Sequence, residues 1–150
     1  MQWTEEHESI RETVAKFVDN EINPYVDQWE DDGIFPAKEV FKKLGDLGML
    51  GITKPIEYGG LGLDYSYGVV FAEEMGRINC AGVSTGIGVQ TDMTTPALAK
   101  FGSDELRNEF LVPAISGDAV SYIPVSEPTD GYDVAGLQTN GVQAGVDNHI

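Results

Sequence analysis

The chain has 150 residues, enough for one domain of ordinary size to bury a core. Its 25 acidic residues against 9 basic ones give a net charge of −16, which opposes binding to nucleic acid. Cys80 is the sole cysteine, so the chain can form neither an internal disulfide nor a cysteine-based metal site. No apolar run reaches about 18 residues, and the first residues are acidic, so we expect no membrane span and no targeting peptide.

The first third of the chain is predicted to be helical. Apolar residues recur at helical spacing over residues 4–21, with Thr4 as a candidate N-cap. Asn23-Pro24 is expected to end or kink this helix, and a shorter helix around Trp29 ends at Asp31-Asp32-Gly33. A third helix is expected to begin at Pro36 and to bury Val40, Phe41, Leu44 and Leu47.

A glycine-rich connection over residues 51–65 separates these helices from the next group. It lacks the Gly-Lys-Ser/Thr ending of a phosphate-binding loop, so close packing of the loop against a helix explains it better than nucleotide binding. A helix over residues 66–78 is then expected, with Val69, Val70, Phe71 and Met75 apolar and with Glu73 and Glu74 on its solvated side.

Residues 81–95 are rich in small side chains, which would let a helix approach a neighbour or a ligand closely. A short apolar helix is expected after Pro96, ending at Phe101-Gly102. Ser103 is a candidate cap for one more helix, which is expected to point Leu106, Phe110 and Leu111 inward.

From residue 120 onward, the sequence pattern favours extended backbone and turns over helix. A β-like run over residues 120–125 breaks at Pro128, turns at Asp130-Gly131 and resumes as a second extended run. Such a break is typical either of a surface loop or of a site where backbone N–H groups hold a phosphate or a cofactor. The order of helices followed by strands favours separate α and β parts over alternating βαβ units.

The residues of this break carry a resemblance. Their pattern is similar to the flavin-contacting signature of the acyl-CoA dehydrogenase family, and it reads Ser126-Glu127-Pro128-x-x-Gly131-x-Asp133-Val134-Ala135-Gly136-Leu137-x-Thr139. Three further segments resemble the N-terminal region of that family in the right order, at residues 47–51, 57–62 and 101–117. Because several ordered motifs agree over essentially the whole chain, it is identified as a member of that family.

The resemblance implies a mainly α fold. It predicts an N-terminal helical bundle of the acyl-CoA dehydrogenase type over residues 1–118. The first strands of an incomplete middle β-domain would follow over residues 119–150. The family is usually tetrameric, and the chain would be a shortened relative. By family, the protein would act in the mitochondrial matrix or the bacterial cytoplasm.

The chemistry that the resemblance implies is the FAD-dependent α,β-dehydrogenation of an acyl-CoA thioester. A glutamate base removes the α-proton and the β-hydride passes to the flavin. That base belongs to the family's C-terminal helical domain, so no catalytic residue is expected in this chain. Glu127 is expected instead to fix the turn structurally.

By position in the family's motifs, one group of residues would contact the flavin and another the acyl-CoA. The flavin-binding candidates are Ile123, Val125, Ser126, Gly131 and Tyr132. The acyl-CoA-binding candidates are Gln90, Thr91, Thr94 and Tyr132. For residues 90–94, helix packing is an equally good interpretation.

Three residues depart from what the flavin motif requires. Tyr132 replaces the family's serine and adds bulk, while Asp130 adds a negative charge that would repel phosphate. Pro124 removes a backbone donor from a strand that would lie against the flavin. All three point to weakened cofactor binding.

Two functions remain open at this level. The chain is either the N-terminal part of an acyl-CoA dehydrogenase that needs a complementing chain or a homo-oligomer, or a non-catalytic relative acting as a helical interaction module. No nucleic-acid or membrane partner is expected.

Overall fold

The computed structural model describes residues 3–129 and 131–140, and this part of the chain is helical. Asp130 and residues 141–150, where the second extended run would continue, lie outside the described residues. The α-helices are α1 (Glu5–Phe17), α2 (Val26–Asp32), α3 (Ala37–Asp46), α4 (Tyr65–Met75), α5 (Ala81–Gly88), α6 (Thr95–Phe101), α7 (Asp104–Leu106) and α8 (Val112–Ile115). Wider π-helical turns extend three of them, at Val18–Ile22, Val89–Thr94 and Arg107–Leu111. The mainly α fold is confirmed.

Helix α1 begins where its sequence predicts. The Thr4 hydroxyl accepts from the His7 amide at 3.5 Å, and the His7 ring Nδ1 accepts from the Thr4 amide at 3.1 Å, so Thr4 is the N-cap. With Nδ1 as an acceptor, Nε2 is the donor of the ring, and it donates to the Ser66 hydroxyl at 2.8 Å. This bond ties the start of α1 to the start of α4.

The core lies mainly between α1, α3 and α4. Fully or almost fully buried apolar side chains include Val14, Val18, Ile22, Val40, Phe41, Leu44, Leu50, Val70, Phe71 and Ile87. Helix α2 ends at Gly33, whose φ of 68° places it in the left-handed region that favours glycine, as the Asp-Asp-Gly signal predicts.

Three residues expected to point inward are exposed, and those predictions were wrong. Leu47 follows the last residue of α3 and so lies off its buried face. Leu106 and Phe110 were placed inward on α-helical spacing, but the π-helical turn Arg107–Leu111 changes the angular step. Leu111, which was predicted to point inward together with Leu106 and Phe110, is buried.

Glu74 was expected to be solvated and is instead buried. Its carboxylate accepts from Arg11 Nη1 at 3.1 Å and from Arg77 Nη1 at 3.0 Å. Glu73 beside it is exposed and accepts from Arg11 Nη2 at 3.0 Å. Burial of Glu74 is tolerated because two guanidinium groups compensate its charge, one of them from α1, far along the sequence.

The glycine-rich connection packs closely, as expected. A β-carbon at Gly60 would overlap the carbonyl oxygen of Lys54, and one at Gly51 would lie 2.7 Å from Ile115 Cγ2. These two glycines therefore let the loop lie directly against its neighbours.

No strand forms in residues 120–129 or 131–140, contrary to the β-like patterns there. A 3₁₀ turn, Val134–Gly136, is the regular element of this stretch. Extended backbone becomes a strand only when a neighbour completes its hydrogen-bond ladder, and Pro124 offers no N–H for one. The division at residue 118 into two domains stays a prediction. Within the described ranges, every helix is too short or too polar to cross a membrane.

Candidate functional site

A mostly apolar cavity of about 290 Å³ lies where α6, α8 and the following segment meet. Its lining residues are Thr94, Thr95, Leu98, Phe110, Ala114, Ala119, Val120, Ser121 and Tyr122. Its walls are mostly aliphatic and aromatic, and four of the lining residues carry a hydroxyl group, namely Thr94, Thr95, Ser121 and Tyr122. Such a lining suits a hydrocarbon chain whose polar end stays outside.

The polar edge of the cavity is formed by two hydroxyl groups. Thr94 lies at the end of the π-helical turn Val89–Thr94, and its Oγ1 is 2.6 Å from Ser121 Oγ. The Thr94 hydroxyl can also donate to the carbonyls of Val89 and Gln90, both at 3.3 Å. Thr94 is thus one predicted acyl-CoA residue that the structure places on the cavity wall.

Gln90 lies beneath this wall and is 0% exposed. Its Nε2 donates to the carbonyls of Ala114 at 2.7 Å and Ala119 at 3.2 Å. Its Oε1 accepts from the Ser121 amide at 2.9 Å and from the Ser121 hydroxyl at 3.3 Å. The amide's hydrogen-bonding capacity is filled, so Gln90 positions residues 119–121 and shapes the cavity from behind.

Thr91 is directed to a different part of the molecule. Its carbonyl accepts from the buried Lys54 Nζ at 2.8 Å, and its hydroxyl lies 2.8 Å from Asp92 Oδ2. Burial lowers the pKa of Lys54, and the nearby Asp92 charge partly opposes that shift. Lys54 also donates to the Thr53 hydroxyl at 3.1 Å. Thr91 is therefore not among the residues that line the cavity at Thr94.

The predicted flavin residues lie along the extended segment that leaves the cavity. Ile123 is exposed, Val125 is half-buried, and Tyr132 is fully exposed, so Tyr132 contacts none of the other acyl-CoA candidates. Ser126 and Gly131 do come together, since a β-carbon at Gly131 would lie 3.2 Å from Ser126 Oγ. These residues form an open edge and do not enclose a flavin, so they do not fit a complete FAD site.

Glu127 holds this edge in shape, as expected. Its carboxylate accepts from the amides of Gln138 at 2.9 Å and Thr139 at 3.1 Å. Hydrogen bonding from the Thr139 backbone lowers the pKa of Glu127, so this group is held as a carboxylate. A carboxylate that already accepts two backbone N–H groups is a turn-closing residue and a poor general base.

Two contributors to the site were not identified from the sequence. Ser121 is a small polar residue inside an apolar run, and its importance depends on contacts with Thr94 and Gln90 about 30 positions away. Phe110 lines the cavity through a π-helical turn that α-helical spacing does not predict. The signal available for Ser121 was its polarity between Val120 and Tyr122.

Comparison with known proteins places these features in a family. The family model described as "Acyl-CoA dehydrogenase, N-terminal domain" matches residues 4–118. The long-chain specific acyl-CoA dehydrogenase of Rattus norvegicus mitochondria is 33% identical over 145 residues, which cover 97% of this chain and 33% of that protein. The chain thus spans about a third of the length of the curated relatives it matches.

Solved structures agree in fold. An acyl-CoA dehydrogenase from Geobacillus kaustophilus superposes with a TM-score of 0.85 at 34% identity, covering 99% of this chain and 38% of that one. An acyl-CoA dehydrogenase from Bacillus anthracis, solved with FAD, gives 0.84 at 28% identity, with 93% and 24% covered. The chain belongs to the acyl-CoA dehydrogenase family and matches its N-terminal helical domain.

Proposed function

We propose that this chain supplies the N-terminal part of an FAD-dependent acyl-CoA dehydrogenase and that its 290 Å³ cavity receives part of the acyl chain of the thioester. The observation that carries the proposal is the cavity itself, with apolar walls and the Thr94–Ser121 hydroxyl pair at its edge. Membership of a family that acts on acyl-CoA substrates supplies the ligand class.

Within this proposal, the residues of this chain bind and orient the acyl-CoA, and none of them is a catalytic residue. Bound FAD would supply the hydride-accepting chemistry; Ser126 and Gly131 would hold one edge of it, and most of its contacts would come from other residues. Gln90 would hold residues 119–121 in position at the cavity wall. The apolar lining would exclude water from the hydrocarbon chain.

The binding step is tested on the 150-residue chain with octanoyl-CoA, followed by backbone amide NMR. We expect weak binding, of about millimolar affinity, because one wall of a site provides a small share of the contacts. Shifts should concentrate at Thr94, Leu98 and Ser121. Free CoA at the same concentration should leave these amides unchanged, since it lacks the acyl chain.

A matched pair of variants makes the test specific to the cavity. Ala119→Leu adds volume at a cavity-lining residue, whereas Ala97→Leu adds the same volume at an exposed position of α6. We expect Ala119→Leu to abolish the octanoyl-CoA shifts and Ala97→Leu to preserve them. Equal responses from the two variants would refute the proposed location of the acyl chain.

The absence of catalysis by the chain alone is a separate expectation. Purified protein mixed with octanoyl-CoA and an artificial electron acceptor should show no turnover above a buffer blank, with or without added FAD. The physical reason is that residues 3–129 and 131–140 neither enclose a flavin nor place a carboxylate among the residues that line the cavity. Turnover in either mixture would show that the chain is an enzyme by itself.

A further inference from the structure

Away from the cavity, α2 and the residues flanking it form a partly exposed aromatic surface, in which Tyr25 and Ile34 are exposed while Trp29 and Phe35 are partly buried against the core. Trp29 stacks with Tyr25 at a ring-centroid distance of 5.8 Å and lies against Phe35 at 6.1 Å. Ile34, next to Phe35, is 74% exposed. These four side chains, Tyr25, Trp29, Ile34 and Phe35, are called the Trp29 face below. Exposed apolar groups that are contiguous, and not scattered singly, mark interaction surfaces.

Trp29 is the common wall of two cavities of different chemistry. On one side, an apolar cavity of about 230 Å³ is lined by Ile34, Phe35 and Val83, with Cys80 at its edge. On the other side, a cavity of about 270 Å³ is lined by Glu21, Tyr25, Glu39 and Lys43. The surface therefore offers an apolar recess and, beside it, an aromatic recess with carboxylates.

The charge around this surface is negative and largely uncompensated. Helix α2 carries Asp27, Glu30, Asp31 and Asp32, and no basic side chain of residues 3–129 or 131–140 forms an ion pair with any of them. Glu30 accepts a hydrogen bond from the Cys80 thiol at 2.5 Å. In the second cavity, Lys43 pairs with both Glu21 and Glu39, which leaves one negative charge in excess.

We propose that the Trp29 face is a docking site for a basic segment of a partner protein. An aliphatic side chain of that segment enters the apolar cavity, and a neighbouring lysine or arginine lies against Trp29 and Tyr25 beside the carboxylates. Cations bind favourably over indole rings, and complementary charge favours encounter and orientation. A second copy that docks through the same face is a poor occupant, because that face carries the same excess of carboxylates.

The probe is a dye-labelled, amidated peptide, Arg-Lys-Leu-Lys-Arg, titrated with the 150-residue chain and followed by fluorescence anisotropy. Its control, Arg-Lys-Ser-Lys-Arg, keeps every charge and removes the aliphatic anchor. We expect the leucine peptide to bind about tenfold more tightly, because burying its side chain adds a hydrophobic contribution. Equal binding of the two peptides would overturn the proposal, since it would show charge attraction alone.

Cys80 provides a local readout, because it is the sole cysteine and lies at the edge of the apolar cavity. Saturating leucine peptide should slow its alkylation by iodoacetamide, and the serine peptide should not. An unchanged alkylation rate with bound leucine peptide would place the peptide elsewhere and contradict the assignment. If the alkylation rate of Cys80 instead fell with increasing protein concentration in the absence of peptide, a second copy of the chain would be the occupant. That result would also contradict the proposal.

Matched variants separate the anchor from the charge. Ile34→Ser should weaken binding of the leucine peptide about fivefold, whereas Ile56→Ser, at a 71% exposed isoleucine elsewhere, should change that binding less than about twofold.

The contribution of charge is tested with a double variant. Asp31→Asn combined with Asp32→Asn should weaken binding of the leucine peptide about threefold at low salt. Glu5→Gln combined with Glu57→Gln removes the same charge away from the face. Equal losses in the two double variants would refute a localised site.

Discussion

The helical body, residues 3–118, and the segment that follows it are stabilised in different ways. In the body, side chains far apart in sequence fix one another: His7 bonds to Ser66, Arg11 pairs with Glu74, and apolar residues of α1, α3 and α4 share a core. In the segment, exposed backbone is joined to the body through Gln90 and Thr94 and is closed on itself by Glu127.

The difference shows how this domain presents its function-related residues. The body folds around its own core, while the segment with the flavin motif obtains its shape from a few polar contacts at the edge of that core. A polar side chain that orders such a segment must be fully satisfied, because burying it otherwise costs free energy.

Gln90→Leu should have the largest effect on stability. The variant leaves the Ala114 and Ala119 carbonyls and the Ser121 amide without their partner, and we expect the free energy of unfolding to fall by about 3 kcal/mol. Thr94→Val removes one hydroxyl, with its bond to Ser121 and its longer contacts to the Val89 and Gln90 carbonyls, and should cost about 1 kcal/mol. Urea unfolding followed by circular dichroism measures both free energies. Equal losses of stability in the two variants would show that Gln90 does not anchor residues 119–121.

Glu74→Gln should be next, with a loss of about 2 kcal/mol, because it removes the buried partner of two arginines. Glu73→Gln is the matched control, since its exposed carboxylate also pairs with Arg11 and should contribute about 0.5 kcal/mol or less. The same urea titration compares the two. If Glu73→Gln were the more damaging, the burial of Glu74 would not be what stabilises the contact between α1 and α4.

The smallest effect is expected at Lys54, as a dependence on pH. Its pKa is lowered in the folded state by burial, so between that lowered pKa and the ordinary value of 10.5 the unfolded chain binds more protons. Stability of the natural protein should therefore rise with pH relative to Lys54→Met as alkaline pH approaches 10.5. Unfolding of both proteins at matched pH values measures the difference, and a constant difference would contradict the lowered pKa.

Local sequence signals predicted most of the helical body. Thr4 and Gly33 mark the ends of helices because caps depend on nearest neighbours along the chain. Glu74 was misplaced because its burial depends on Arg11, which α1 brings from far along the sequence. Phe110 was misplaced because a π-helical turn alters the spacing on which the prediction depends.

The candidate site was less accessible to sequence analysis, for a related reason. The family motif indicated the flavin residues, and position in the family indicated Gln90, Thr91 and Thr94. The roles of the three differ: Gln90 supports the wall, Thr94 lines the cavity, and Thr91 accepts a bond from Lys54. That distinction depends on which side of a π-helical turn each residue occupies.

The most direct test of the contrast is residue-resolved hydrogen exchange of the 150-residue chain, with and without FAD. We expect the slowest exchange in α1 and α4, clear protection of the Ser121 amide by Gln90, and fast exchange over residues 125–127. Added FAD should leave this pattern unchanged. Protection of residues 125–127 at the level of α1, in either condition, would show that the chain assembles the flavin edge by itself and would contradict the account.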